Sequence, residues 1–298
     1  MFADRYPSFQ KGRILKTEML SNLRDYPRQM FDIQYSSYSD GIICGAEVLV
    51  GEETLTIKRG IVKHGGRLFS LEQDYELPYS ATGNETLIKI CFPSEPSVRS
   101  DITSYETDIV LEPAGQLRGN ELELGRYKLK PGARLRQSYE GFHDLITEYN
   151  TVQLIHVEHA AYGRSTMDPI VMRLYGEELL MRGCSDPHDI SFAMLCLNEG
   201  TVAMPVIEHY VAARLGLERR GVQRGFHMGS KGGSSASGGA YSAAGRERSG
   251  DAGRFDDPPS VDREQLYGNL RRILGSVHRG GAAKGDLRPG GMRRMLVD

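Results

Sequence analysis

The residues with the clearest capacity for metal or acid–base chemistry gather in one short stretch, His156-Val157-Glu158-His159, with His143 upstream. Two imidazoles and a carboxylate this close are raw material for a divalent-metal site that could activate a water. Such a site needs the side chains on one face. On a helix His156 and His159 could share one, but the order HVEH lacks the HExxH offset that sets a general base behind two ligands. On a strand His156 and Glu158 share a face and His159 points away. Polar or surface histidines are the favoured reading, and a metal-dependent enzyme using His156 and His159 is kept only as an alternative. His188, in Asp186-Pro187-His188-Asp189, belongs to a helix first turn, and His209 adjoins Glu208, where sequence neighbours on a helix do not face each other. The pairs Glu52-Glu53 and Glu177-Glu178 read as solvated turn and helix surface. There is no GxxxxGK[ST] phosphate loop, no dinucleotide fingerprint and no GxSxG elbow. No catalytic residue, no metal and no cofactor is expected.

Composition narrows the classes further. Residues 1–220 carry 24 basic and 31 acidic side chains, whereas 221–298 carry 13 and 8, along with 17 of the 35 glycines. A mildly acidic body disfavours a nucleic-acid groove, and only the basic tail suits a weak polyanion contact. Cys44, Cys91, Cys184 and Cys196 are far apart and form no CxxC pair, so they read as reduced thiols. No apolar run approaches the roughly 20 residues of a membrane span. The opening MFADRYPSFQKGR lacks the apolar core of a signal peptide, so synthesis in the cytoplasm without general export is expected.

The elements that would position these groups follow from periodicity. Residues 1–37 form an irregular apolar arm, broken by Pro7 and Gly12, and then a helix with Thr17 as N-cap and Met19, Leu20, Leu23 and Tyr26 on one stripe. Pro27 either kinks that helix or opens a second. Residues 38–140 form an antiparallel β domain. Its first part has short apolar runs (Ile42-Ile43, Val48 to Val50, Leu55 to Ile57, Ile61-Val62, Leu68-Phe69) punctuated by glycine, with hairpin turns at 50–54 and 63–67. Strands at 75–77, 86–92 and 106–111 follow, with 93–101 as a loop and 116–137 as a further hairpin. Residues 141–220 are mostly helical. Phe142 to Ile155 fits helical spacing, although 151–157 also allows a strand, and further helices open at Asp168-Pro169, at Ser185 or Asp186, and at Thr201. Residues 221–260 are a Gly/Ser-rich flexible linker, and 261–298 hold a short amphipathic helix within a basic Gly-rich tail. The fold class is α+β, with an N-terminal helical segment, a small mostly antiparallel β-unit, a mostly helical region and a disordered tail.

The helix at 262–276 is either a cap that docks on its own chain or a hook for a partner. Aromatic and apolar groups suited to an interface are Phe2, Tyr6, Phe9, Tyr26, Phe31, Tyr35 and Tyr38, and, on the tethered helix, Leu266, Tyr267, Leu270 and Ile273.

Two segments carry a resemblance. Gly12-Arg13-Ile14-Leu15 before a short helix, followed by Asp40-Gly41-Ile42-Ile43-Cys44-Gly45 opening a β-unit, resembles baseplate-associated or tail-fibre-attachment proteins of phages, prophages and phage-like contractile particles, over about residues 1–92. The resemblance implies a structural, non-enzymatic protein that holds subunits in a fixed geometry. Its implied partners are baseplate or fibre proteins of the same particle, in an oligomeric assembly incorporated into the tail. With no repetitive fibre shaft, the chain suits an adaptor better than a complete fibre. A soluble carbohydrate- or protein-binding module is the alternative, and it would need a concave, aromatic-lined site.

Overall fold

The computed structural model describes residues 4, 6–99, 102–198, 200–217 and 262–280. The expected linker at 221–260 and the Gly-rich stretch after residue 280 lie outside them. The chain is α+β: an N-terminal helix, small antiparallel sheets, then helices.

Helix α1 (Thr17–Gln34) is continuous through Pro27, and its N-cap is Lys16, with no side-chain cap bond, rather than Thr17. The β-unit that follows contains β1 (Gly41–Gly45), β2 (Val48–Val50), β3 (Thr54–Ile57), β4 (Gly60–His64), β5 (Arg67–Leu71) and β6 (Tyr75–Pro78). They form two three-stranded sheets, in the orders β1-β4-β5 and β2-β3-β6. Both expected turns are present, at 51–53 between β2 and β3 and at Gly65-Gly66 between β4 and β5.

Asp40, Gly41 and Gly45 have separate jobs. Asp40 accepts a hydrogen bond from the Gly65 N–H at 2.8 Å, which fastens the β4–β5 turn. Gly41 has φ +133°, and a Cβ there would stand 2.7 Å from the Glu158 oxygen. Gly45 has φ +66°, and a Cβ there would overlap the Arg59 carbonyl. The motif is therefore a packing device. It lets residues 158–160 lie against β1, with Ile42 N–H donating to Glu158 O and Ala160 N–H to Ile42 O, both at 2.8 Å.

A separate four-stranded sheet contains β7 (Glu85–Cys91), β10 (Asp108–Pro113), β11 (Glu121–Lys128) and β12 (Val152–Gln153), in the order β10-β7-β11-β12. Between β7 and β10, in the stretch expected to be a loop, β8 (Ser97–Arg99) pairs with β9 (Ile102–Ser104). The hairpin expected at 116–137 is instead the single strand β11. Its register shifts between Glu123 and Gly125, so the apolar phase moves from Leu122 and Leu124 to Tyr127 and Leu129. One inserted residue does this in a β-bulge. Gly125 fits there because a Cβ would come within 2.9 Å of Val152 Cγ1.

Residues 142–155 hold a short 3-10 helix (Phe142–Ile146) and then β12, with no long helix. Helices α2 (Pro169–Met181), α3 (Pro187–Asn198) and α4 (Met204–Leu215) follow. Asp168 caps α2 by accepting the Ile170 N–H at 2.7 Å, and Gly183, with φ +71°, lies just beyond its C-terminus. Helix α4 starts at Met204 with Ala203 as N-cap, later than Thr201, because Pro205 occupies the first turn.

Helix α5 (Arg263–Gly280) completes the core of this part. Tyr267 stacks on Phe142 at 4.5 Å and donates its hydroxyl hydrogen to Phe142 O at 2.6 Å. Phe142 meets Tyr175 edge-on, and Tyr175 meets Phe192, which stacks on Tyr210. The Tyr175 and Tyr210 hydroxyls lie 2.9 Å apart, and Tyr210 donates to Asp189 at 2.8 Å. Burial pushes the Tyr175 and Tyr210 phenols up, so both stay protonated donors.

Candidate functional site

Helix α1 has the composition of a packed amphipathic helix but buries none of its side chains. Leu23, Tyr26, Met30 and Ile33 recur at spacings of three and four and so share a face. They are 49%, 37%, 54% and 69% exposed, and Leu20 and Phe31 extend the surface. Helices in proteins owe most of their stability to packing such a face, and among the described residues this one buries no side chain.

One end of this helix is held firmly. Lys63, on β4, is buried, and its Nζ donates to Tyr35 O and Tyr38 O at 2.6 Å each. A cation at the C-terminus satisfies carbonyls that have no helical partner and opposes the helix dipole favourably. Tyr35 and Tyr38 meet edge-on at 5.2 Å, and Tyr38 bridges to Tyr162. The helix is thereby anchored to the β-unit at its C-terminal end, with its apolar stripe facing outward.

The expected interface residues divide into two groups. Tyr6, Phe9, Tyr26 and Phe31 are exposed, Tyr35 and Tyr38 are half-buried at the anchor, and Phe2 lies outside the described residues. The exposed Ile14 and Leu15 of the arm adjoin them. Leu266, Tyr267, Leu270 and Ile273 are buried within the same chain, where Arg263 pairs with Glu158 at 2.7 Å and Arg182 donates to Leu274 O at 2.7 Å. In this arrangement the α5 face is occupied and the α1 face is open.

The histidines have separate surroundings. Burial, then the nearby Arg126, hold the His156 ring below its ordinary range. His159 instead pairs with Asp168, Nε2 to Oδ2 at 3.2 Å, and both side chains are buried. Among the described residues, no group of three or more His, Cys, Asp or Glu side chains is arranged to hold a metal ion. Sequence reasoning set His159 beside Glu158 and His156 and missed Asp168. The available signal was Asp168-Pro169, a helix start whose capping carboxylate keeps one oxygen for another donor.

No family model and no curated protein sequence matches the chain. Two solved structures superpose loosely. The crystal structure of TssK does so with TM-score 0.35 and 9% identity, over 92% of this chain and 69% of that one. A chain of the type VI secretion system TssK-TssF-TssG baseplate subcomplex, revealed by cryo-electron microscopy, does so with TM-score 0.36 and 11% identity, over 91% of this chain and 99% of that one. Superposition this loose carries no argument about fold or function. Among the described residues, no helix is long and apolar enough to cross a membrane.

Proposed function

We propose that this chain is a structural subunit of the baseplate of a phage-tail-like contractile particle, attaching fibres or other peripheral subunits. The observation that carries the reading is the uncovered stripe of Leu23, Tyr26, Met30 and Ile33 on a helix anchored at its far end. A surface of this kind suits a fixed apolar contact with a neighbouring subunit. The GRIL and DGIxxG segments, which resemble those of baseplate-associated proteins, flank that helix directly. The partners are baseplate or fibre proteins of the same particle, in an oligomeric assembly, after synthesis in the bacterial cytoplasm. No residue is given a catalytic role.

The test is electron microscopy of particles from the producing cells, with the protein labelled. Signal at the baseplate or the fibre root is the expected result. Intact particles that lack the label, with the chain free in the cytoplasm, would overturn the proposal.

A further inference from the structure

The GRIL segment ahead of α1 is left without a partner by the fold. Residues 6–16 form neither strand nor helix. Ile14 is 86% exposed, more than any other large apolar side chain described, and Leu15 beside it is 53% exposed. Among the described residues, the backbones of Ile14 and Leu15 make no hydrogen bond to another backbone group.

A strand edge of fitting length is open elsewhere on the chain. Among the described residues, β5 pairs with β4 alone. Gly65 and Gly66, at φ +56° and +74°, make a two-residue turn, so His64 and Arg67 flank it as a hydrogen-bonded pair. Bonded and non-bonded pairs alternate from there, which leaves Leu68 and Ser70 with their N–H and C=O groups turned away from β4. None of these four groups meets a described backbone partner. A cavity of about 850 Å³ follows the same side of the strand. It is lined by every residue from 65 to 71 and by none of β4, whereas a cavity on a sheet face would meet alternate residues only. Phe31 of α1 and residues 105–107 complete the lining. Its charges are mixed, Arg28 and Arg67 against Asp32 and Glu106, which favours a backbone contact over a strongly charged ligand. Unpaired strand edges of this kind accept an extended segment as an added strand.

The GRIL segment is out of reach of its own edge. Thr17 follows Lys16 directly, and Phe31 lies about 21 Å further along the helix axis. A second copy has no such restriction. Residues 13–16 span about 13 Å when extended, within the roughly 17 Å that β5 offers.

We propose that residues 13–16 of one copy of this chain pair as an added strand on the β5 edge of a second copy, at Leu68 and Ser70. The contact needs only copies of the chain, uses neither face of the α1 stripe, and does not depend on the baseplate reading.

Sedimentation of the purified full-length chain over a concentration series tests it, together with amide hydrogen exchange at Leu68 and Ser70. Two variants separate donor from acceptor. I14D charges the arm at an exposed position, and S70P removes an outward N–H while leaving the bonds to β4, a place where an edge strand tolerates proline. The expected result is reversible self-association of the wild type, with exchange at both amides slowed at least tenfold in the concentrated solution. Each variant alone associates at least tenfold more weakly. Mixing the two restores association, because the S70P chain supplies an arm and the I14D chain an edge. A wild-type chain that stays monomeric, or that associates without slowing exchange at these amides, would overturn the proposal. Association lost in S70P but kept in I14D would also overturn it, by placing another segment on the edge. The wild-type exchange data and I14D decide the matter even if S70P does not fold.

Discussion

Gly41 shows how much of this β-unit depends on single backbone positions. A Cβ at Gly41 would meet the Glu158 oxygen at 2.7 Å and the Ala160 nitrogen at 2.9 Å, and its φ of +133° disfavours any other residue. Gly268, in α5, has nothing within 4 Å of such a Cβ. Two substitutions of the same type should therefore have opposite signs. G41A is expected to lose about 1–3 kcal/mol of stability, by strain and by displacing residues 158–160. G268A is expected to gain about 0.4–1 kcal/mol, by narrowing the unfolded chain and improving helix propensity. Urea unfolding midpoints measure both, and equal shifts would contradict the account. At this scale, sequence showed the glycines at Gly65-Gly66 as turn residues because their partners are local. It could not show the reason for Gly41, since the opposing backbone comes from more than a hundred residues later. The His159–Asp168 pair was hidden for a related reason: it forms across a loop that reverses direction between them.

At the scale of elements, α5 is the clearest case of a pattern that was legible without its destination. The spacing of Leu266, Tyr267, Leu270, Ile273 and Leu274 announced one apolar face, but both docking in cis and capture of a partner remained open. In the structure all five are buried on their own chain, around Phe142 and beside α2 and α4. Burying five large side chains is worth roughly 10 kcal/mol gross, before the entropy of ordering the helix. A chain ending at residue 260 is expected to expose the apolar surface that α5 covers, to melt without a sharp cooperative transition and to bind a hydrophobic dye. Addition of a 263–280 peptide should reverse these changes. An unchanged melting temperature in the shortened chain would show that α5 is dispensable. Strand β11 was harder to read because its period-two signal breaks phase at Gly125, and a bulge and a turn look alike in sequence. The stretch at 142–155 was ambiguous for its own reason: β-branched residues overlap a helical apolar spacing.

For the whole molecule, the fold class was legible from the change of period along the chain, while the proposed function rests on what the fold leaves uncovered. The core gathers residues of the β-unit, the four-stranded sheet and helices α2 to α5 into one cluster. Helix α1 contributes no buried residue to it. Substituting its stripe should therefore leave the body intact and affect only association. The direct measurement is the amount of this protein in purified particles when the producing cells carry either the wild-type chain or the double variant L23D/M30D. The account predicts wild-type protein in fixed proportion to other baseplate subunits, at least a tenfold loss of the variant, and the same urea midpoint for both. Variant protein incorporated at the wild-type level, or wild-type protein absent from intact particles, would contradict it.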